Sequence, residues 1–339
     1  GLDIRVAMVQ VRYVDGDPET YVLPLALAGG QEAERLMKEE SESVVARMEP
    51  GRVKDGLERP LVLYDASVSA GFATELLRVM ATRRTLAGEA GDVAGSLEKG
   101  YRERWKEEPE SLQPQRVRLE QSNTSILYGG ELFLKLFRKL DRGVNPDLEI
   151  PKQLMRKGFE HTPAVTGELS YRARGGTSTL GVLKEFVANE GDAWRYTLDS
   201  LGTFFERVIT EQPEAATPAL HVDALLARVT GAEPEPAQAE DLMGTYMDSA
   251  ALLGRRTAQM HRALASTSAK DFAPEPFSAL YQRSLYQSMR NLSGRTLNAL
   301  RRELDTVPET VRPGAAEVLE RRNEILQRMR EVVGEKMDA

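Results

Sequence analysis

A lysine within an apolar strand and the short polar segment that precedes it form the candidate chemical site of this sequence. Lys135 lies among Leu134, Leu136 and Phe137, so a strand could hold its ammonium group in a fixed position. The preceding segment carries small hydroxyls and an amide that could contact phosphate oxygens together with backbone N–H groups: Ser122, Asn123, Thr124 and Ser125. A cation and a polar turn are what an ATP-binding fold places around the phosphates.

Two further sets of residues complete such a site. Glu149 falls in the first turns of a helix predicted after the strand, where its carboxylate could hold the lysine in place. Residues 184–187 join a strand to the next helix and could offer backbone groups to adenine. Each feature also has an ordinary explanation, because strand lysines are commonly solvated and a glutamate near a helix N-terminus favours the helix dipole. Their order along the chain indicates nucleotide binding better than any one of them.

Three strands, a helix and a hairpin must position these groups. Strands are predicted over residues 116–121, 124–128 and 131–138, with Gly129 and Gly130 in a tight turn. Asn145 followed by Pro146 predicts the N-cap and the first residue of a helix. The hairpin comprises residues 164–172 and 177–187, with its turn at Gly175 and Gly176.

The rest of the chain predicts a small cap before this segment and a helical region after it. In the cap, Asp15 and Gly16 mark the turn of a first hairpin. Further strands are predicted over 43–48 and 60–65, and a helix over 68–85. In the helical region, Asp192 is a predicted N-cap and residues 231–240 form a loop rich in proline and alanine. Long helices are predicted over 240–265, 277–304 and 314–334, and we expect the apolar stripes of the last two to be core faces.

We therefore predict an α+β protein in four parts. Residues 1–90 form the cap and residues 91–114 a polar linker. Residues 115–188 form an antiparallel sheet plus helix, and residues 189–339 a mainly helical part.

Composition excludes several classes of function. The 339 residues carry 45 Lys+Arg and 52 Asp+Glu, a net charge of −7 and a pI near 5.4, which argues against nucleic acid as the main partner. There is no cysteine, so disulfides, thiol nucleophiles and thiolate metal sites are excluded. No apolar run approaches the roughly 20 residues that span a bilayer, and the first residues show no signal-peptide pattern. We expect a cytoplasmic protein without a membrane partner.

Residues 120–150, with the string EQSNTSILYGGELFLKLFRKLDRGVNPDLEI, closely resemble the maltokinase family, including the maltokinase portions fused to trehalose synthases. The resemblance continues in TLGVLKEFVANEGDAWRYTLDSL (179–201), in LGRRTAQMHRALA (253–265), and in YVLPLALA and LYDA near the N-terminus. It implies a fold similar to protein kinases and aminoglycoside phosphotransferases, with an added cap. It also implies transfer of the γ-phosphate of ATP to the anomeric hydroxyl of maltose, which gives maltose 1-phosphate for glucan synthesis.

The resemblance also assigns roles and partners. In the complete enzyme it implies ATP and Mg²⁺ as cofactors, maltose as substrate, and trehalose synthase as a fused or associated partner. It assigns no residue to maltose. The matching residues are Ser122, Asn123, Thr124 and Ser125 for the phosphate-binding loop, Lys135 for the phosphate-contacting lysine, Glu149 for its partner, and Glu185, Phe186 and Val187 for the hinge that faces adenine.

Two motifs that the resemblance leads us to expect are missing. A complete maltokinase carries a His-Gly-Asp catalytic loop and an Asp-Phe-Glu-Gly motif whose aspartate binds Mg²⁺. His161, His221 and His261 are followed by Thr, Val and Arg, and Asp271-Phe272 continues to Ala-Pro. We therefore assign no catalytic and no metal-binding residue. We expect a fragment that lacks both ends of the family pattern and is inactive alone. Two alternatives stay open, a nucleotide-binding pseudokinase regulator and an interaction module that assembles with a partner such as trehalose synthase.

Overall fold

The computed structural model describes residues 3–14, 16–48, 60–98, 100–101, 111–117, 123–211, 243–267 and 269–334. The predicted loop over 231–240 lies outside these residues. The chain divides into two compact units, Gly1–Thr267 and Ser268–Ala339. The first unit contains two antiparallel sheets and several helices, and the described part of the second is helical. The predicted α+β class, with an antiparallel sheet plus helix and a mainly helical C-terminal part, is confirmed.

A first sheet contains the strands of the predicted cap. It consists of β1 (Ile4–Val11), β2 (Glu19–Gly29), β3 (Val44–Met48) and β4 (Leu61–Asp65), in the order β1-β2-β4-β3. The predicted first hairpin is confirmed, because β1 and β2 pair antiparallel with Val6 opposite Pro24. One helix, α1 (Gln31–Glu39), was not predicted. It buries only Ala33 and Leu36, so its sequence carries too few apolar positions to show a helical stripe.

Helix α2 (Ala70–Ala81) lies within the predicted range 68–85 and is the apolar centre of the first unit. It follows a 3-10 turn whose first residues are capped by Asp65, which accepts a hydrogen bond from the Ser67 N–H at 2.9 Å. Its apolar residues at helical spacing are buried, as the periodicity predicts. They include Phe72, Leu76, Leu77 and Met80.

A second sheet contains the strands expected to carry the site. Its members are β5 (Thr85–Leu86), β6 (Asp92–Leu97), β7 (Pro114–Val117), β8 (Asn123–Tyr128), β9 (Leu132–Phe137), β11 (Val165–Ala173) and β12 (Gly176–Glu185), in the order β5-β6-β11-β12-β9-β8-β7. The short strand β10 (Lys139–Leu140) follows β9 and pairs with β2 of the first sheet. All of the pairings between these strands are antiparallel.

The linker predicted over residues 91–114 is corrected by this sheet. Strand β6 falls inside that range and pairs with β11, with Leu97 opposite Gly167. Gly95 was one of the glycines that indicated a loop in this part of the sequence. In the structure, a Cβ at this position would lie 2.8 Å from the backbone N of Met80. The glycine therefore lets helix α2 approach the strand closely, which is a packing requirement and not a sign of flexibility.

The two sheets share one apolar core around α2. This core joins residues of the first sheet, such as Val22 and Tyr64, to residues of the second, such as Ile126 and Leu169. The buried Tyr128 hydroxyl donates a hydrogen bond to the Ala73 carbonyl oxygen at 2.8 Å. The cap and the second sheet are therefore packed as one structure and have no core boundary between them.

Helices complete both units. In the first, α3 (Pro146–Arg156), α4 (Ala193–Glu211) and α5 (Tyr246–Ala265) follow the predicted positions, and Asn145 and Asp192 accept the predicted N-cap hydrogen bonds at 2.8 Å. In the second unit α6 (Ala279–Arg302) is followed by α7 (Arg312–Glu320) and α8 (Arg322–Gly334).

Two predictions for the second unit were wrong. The single helix predicted over 314–334 is divided at Arg321 into α7 and α8. The stripe predicted as a core face of α6 is only partly covered, since Leu280 is 77% exposed and Leu292 59% exposed. Among the described residues of this unit, α6 packs against α7, α8 and a 3-10 turn, and these contacts leave Leu280 and Leu292 largely exposed. None of the helices in the described residues has the length and apolar character needed to cross a membrane.

Candidate functional site

The central ion pair of the candidate site joins strand β9 to helix α3. The Nζ atom of Lys135 lies 2.9 Å from Oδ2 of Asp147. Lys135 stands between Ser125 of β8 and Val182 of β12 in the strand register, so neighbours on both sides fix its backbone. The lysine side chain is 24% exposed and the aspartate 44%, so the pair is open to solvent on one side.

The carboxylate in this pair is not the one that the sequence predicted. Glu149 was expected to hold Lys135, but it makes no ion pair among the described residues, whereas Asp147 does. The two acidic residues are two positions apart on α3, and two positions correspond to about 200° around a helix. Only one of them can face β9. The N-cap at Asn145, which accepts from the Asp147 N–H at 2.8 Å, sets the start of the helix and so decides which one does.

A second lysine lies beside the pair. Lys184, near the end of β12, is opposite Phe133 and two residues beyond Val182, the partner of Lys135. Lys135 and Lys184 therefore lie on the same face of the sheet. Burial lowers the pKa of Lys184, while the charge of Asp147 raises it and the charge of Lys135 lowers it further. Sequence reasoning treated Lys184 only as the start of a linker; the strand alternation through β12 would have placed it on the face of Val182.

The predicted phosphate-binding segment lies mostly in strand β8. Ser122 is outside the described residues, and Asn123, Thr124 and Ser125 are the first three residues of the strand. Thr124 and Ser125 are buried. The Thr124 hydroxyl oxygen accepts a hydrogen bond from Arg138 Nε at 2.8 Å, so it already has a partner within the protein. The phosphate-binding role of these residues stays a prediction.

The predicted hinge is held by neighbouring backbone. The Glu185 N–H donates to the Ala164 carbonyl at 2.9 Å, and the Phe186 N–H donates to the Glu131 carbonyl at 2.8 Å. The Glu185 carboxylate also accepts a hydrogen bond from the Tyr101 hydroxyl. Val187 is 57% exposed. Contact between this hinge and adenine stays a prediction.

A small apolar cluster and a second ion pair fix α3 against the sheet. Phe137, Leu148, Val165 and Val182 form a buried cluster under the helix. Nζ of Lys152 lies 2.6 Å from Oε2 of Glu168, which joins α3 to β11. These contacts hold Asp147 in front of Lys135, because they restrict both the position and the rotation of the helix.

A pocket of about 590 Å³ lies on the opposite side of the second sheet. Leu136 lines it, and Leu136 points away from the face of Lys135 because neighbouring strand residues alternate. None of the predicted site residues that the structure describes lines this pocket. It is therefore distinct from the lysine site.

The described residues contain no group of three or more acidic or histidine side chains able to hold a metal ion.

No protein-family model matches this chain. Solved structures of glucosamine kinase are similar to it. One, in complex with glucosamine, ADP and inorganic phosphate, has 16% identity and a TM-score of 0.46, over 97% of this chain and 59% of that chain. Crystal form B has 17% identity and a TM-score of 0.44, over 96% and 57% of the two chains. Crystal form A has 15% identity and a TM-score of 0.46, over 97% and 58%. The chain thus spans less than two thirds of the length of these structures.

Proposed function

We propose that this chain is the nucleotide-binding portion of an ATP-dependent sugar kinase. The observation that carries the proposal is the ion pair of Lys135 with Asp147, 2.9 Å long, between a central strand and the helix that follows it. The ammonium group of Lys135 is held by neighbouring strands and by α3, and an ammonium group in a fixed position suits a phosphate group, which binds lysine through charge-assisted hydrogen bonds.

The proposed sugar is maltose and the proposed product maltose 1-phosphate. This part of the proposal rests on the resemblance of residues 120–150 to maltokinases. The same resemblance is the reason to propose trehalose synthase as a fused or associated partner.

We further propose that these 339 residues bind ATP without transferring its phosphate. Phosphoryl transfer depends on a positioned base and on metal ions that neutralise the developing charge. The sequence contains neither a His-Gly-Asp nor an Asp-Phe-Glu-Gly motif. A coupled assay with ATP, Mg²⁺ and maltose should therefore show no turnover, and maltose-dependent turnover at a few per second would overturn this part of the proposal.

Thermal unfolding with increasing ATP and Mg²⁺ tests the binding proposal. A ligand that binds only the folded state stabilises it by about 2.7 kcal/mol at a hundred times its Kd, so the melting temperature of the wild type should rise with ATP. Lys135→Ala should remove most of this rise. Lys38→Ala is the control, because it removes the same charge from an exposed position on α1. A rise that is unchanged in Lys135→Ala would contradict the proposal.

One observation favours a second candidate, an interaction module. Helix α4 exposes apolar side chains at positions 194, 198, 205 and 209, a spacing that places them on one face. Trp194 is 72% exposed, Phe205 57% and Ile209 73%. Exposed apolar faces of this kind mark association surfaces. If this candidate is correct, the chain should co-sediment with trehalose synthase and Phe205→Ser should abolish the association, whereas independent sedimentation of the two proteins would count against it.

A further inference from the structure

The pocket of about 590 Å³ has no role in the proposed function. It is lined by strands β1 and β2 of the first sheet, by helix α2, by strands β5 and β6, and by Leu136 and Leu180 of the second sheet. All of these elements belong to the first compact unit and contribute to its core. The pocket is therefore a gap within one packed structure, at the place where the first sheet meets the second.

The walls of this pocket are mostly apolar. Buried side chains form its inner part, among them Val22, Phe72 and Leu180, which are 2%, 5% and 2% exposed. Half-exposed side chains of β1, Ile4 and Val6, lie toward its opening. Pockets of about 300–1,000 Å³ with such walls are typical small-molecule sites. Wall atoms that face an empty space lack packing contacts on that side, and the apolar body of a ligand would supply them.

Three charged side chains line the pocket, and they indicate the polar group of the ligand. Glu75 and Arg78 are three residues apart on α2 and form an ion pair of 2.5 Å, so the carboxylate already has a cation beside it. Arg84 is exposed, and its side chain forms no ion pair or hydrogen bond with the described residues. A guanidinium group matches the two oxygens of a carboxylate. Arg84 can therefore bind a carboxylate at the opening of the pocket.

The backbone holds Arg84 at this place. Helix α2 ends in a Schellman motif, in which the Arg83 N–H donates to the Met80 carbonyl at 3.2 Å and the Arg84 N–H to the Val79 carbonyl at 3.0 Å. The Arg84 carbonyl oxygen accepts from the Gly95 N–H of β6 at 3.2 Å. Both backbone groups of Arg84 are thus bonded, one to the helix and one to the strand, and its side chain starts from a fixed point.

We propose that this pocket binds a monocarboxylic acid with an apolar body, such as a medium-chain fatty acid. The hydrocarbon chain lies against the buried walls, and the carboxylate pairs with Arg84. The site does not depend on the proposed function, because the pocket lies on the other side of the second sheet from Lys135. A neutral or cationic ligand of the same shape would gain the apolar contacts but no partner for Arg84.

Calorimetric titration with sodium decanoate and decylammonium chloride tests the charge preference, since the two probes share a chain length and carry opposite charges. Decanoate should bind at least about fivefold more tightly than decylammonium, as expected for a charge-assisted hydrogen bond near solvent. The net charge of −7 acts in the opposite direction, so this preference would report a local site. The absence of saturable decanoate binding, or tighter binding of decylammonium, would overturn the proposal.

Substitution of the arginine tests its role. Arg84→Gln should weaken decanoate binding about fivefold or more without weakening decylammonium binding, and Arg84→Lys, which keeps the charge, should lose less. Arg47→Gln is the matched control, because Arg47 is an exposed residue of β3 that does not line the pocket, and it should change neither affinity. Unchanged decanoate binding in Arg84→Gln would overturn the role given to Arg84.

A larger side chain in the pocket tests the apolar part of the site. Val6→Phe should weaken the binding of both probes, because the phenyl ring would occupy the space that the chain needs. Val9→Phe is the control, since Val9 lies three residues along β1 on the opposite face, is 40% exposed and does not line the pocket. Equal decanoate affinities of Val6→Phe and the wild type would contradict the proposed location.

A measurement on the wild type avoids any dependence on the folding of the variants. In methyl-detected NMR spectra, decanoate should shift the signals of Ile4 and Val6, which line the pocket. The signal of Ile150, a 36% exposed residue of α3 that does not line it, should stay unchanged. Unchanged signals of Ile4 and Val6, or an equal shift of Ile150, would show that decanoate does not bind in this pocket and would overturn the proposal.

Discussion

Arg138 and Asp65 join the two sheets of the first unit through an ion pair of 2.6 Å between Nη2 and Oδ2. Asp65 ends strand β4 of the first sheet, and Arg138 lies between β9 and β10. The pair is well covered, since the arginine side chain is 22% exposed and the aspartate 13%. Arg138 also donates to the Thr124 hydroxyl at 2.8 Å and to the Ser67 hydroxyl at 3.0 Å. The same side chain therefore links the cap to the strand that begins the candidate phosphate segment.

Replacing Asp65 by Asn should destabilise the protein by about 2 kcal/mol, because a partly buried guanidinium loses its counter-ion. The amide oxygen of Asn can still accept a hydrogen bond from the Ser67 N–H, so the substitution removes the negative charge and keeps this hydrogen bond. Urea unfolding measures the effect. Asp3→Asn is the matched control, because Asp3 pairs with Arg5 at the surface with both side chains 83% exposed, and it should leave the free energy of unfolding unchanged. Equal effects of the two substitutions would contradict the structural role of Arg138.

Asp147→Asn should weaken ATP binding about threefold or more, because the substitution removes the carboxylate that holds the Lys135 ammonium group in place. Glu149→Gln removes the same charge two residues away and should leave the affinity within about twofold of the wild type, because Glu149 makes no ion pair in the described residues. Calorimetric titration of both variants decides between the two carboxylates, and weaker binding in Glu149→Gln alone would favour the partner that the sequence predicted.

Local signals in the sequence were sufficient for much of the fold. Asn145 and Pro146 specify a helix start through their own side-chain chemistry, and Gly129 and Gly130 adopt φ values of 58° and 72°, as the predicted tight turn requires. Strand β6 could not be predicted in this way. Gly95 is required in this strand because the backbone of α2 packs closely against it. The residues next to Gly95 in the sequence do not show this contact, so the glycine indicates a loop.

The site was predictable as a combination of residue types but not as a geometry. An apolar strand with one central lysine indicates a fixed cation, so Lys135 could be named from the sequence. The partner could not, because Asp147 and Glu149 are both acidic residues of the first helical turn and only the helix rotation against β9 separates them. The position of Lys184 beside Lys135 was missed for a related reason: alternation along β12 gives its face, but the register between β9 and β12 gives its neighbour.

Gly95→Ala should destabilise the protein by about 1–3 kcal/mol, because the added methyl group would force α2 away from β6. The Cβ would lie 2.8 Å from the Met80 backbone N, an atom that cannot rotate away. Gly202→Ala is the matched control. Gly202 lies within helix α4, where an added Cβ would meet no atom of the described residues within 4 Å outside its own stretch of the helix, so alanine should stabilise the helix by up to about 1 kcal/mol. Urea unfolding should therefore give opposite signs for the two substitutions, and a neutral Gly95→Ala would show that β6 does not pack closely on α2.

The last prediction concerns Glu19, which ties β2 to β10. Its carboxylate accepts hydrogen bonds from Lys139 at 2.6 Å, from Tyr21 at 2.6 Å and from Tyr13 at 2.8 Å. These bonds, with that of Lys139 as the largest cause, lower the pKa of Glu19 from 4.5 to about 2. A carboxyl group with a lowered folded-state pKa contributes stability above its unfolded pKa and loses it as the pH falls through the folded value. The contribution of Glu19 should therefore be complete above pH 4.5 and disappear between pH 4.5 and 2.

Lys139→Gln tests this dependence. The substitution removes the strongest donor, so the pKa of Glu19 should rise toward 4.5, which carboxyl-detected NMR titration of the side chain measures directly. The difference in the free energy of unfolding between wild type and variant should also shrink as the pH falls from 4.5 to 2. Lys38→Gln, which removes a lysine charge from α1, should leave the Glu19 titration unchanged. A wild-type Glu19 that titrates near 4.5 would show that the carboxylate does not bind Lys139 in solution, and β10 would then be held to β2 by backbone pairing alone.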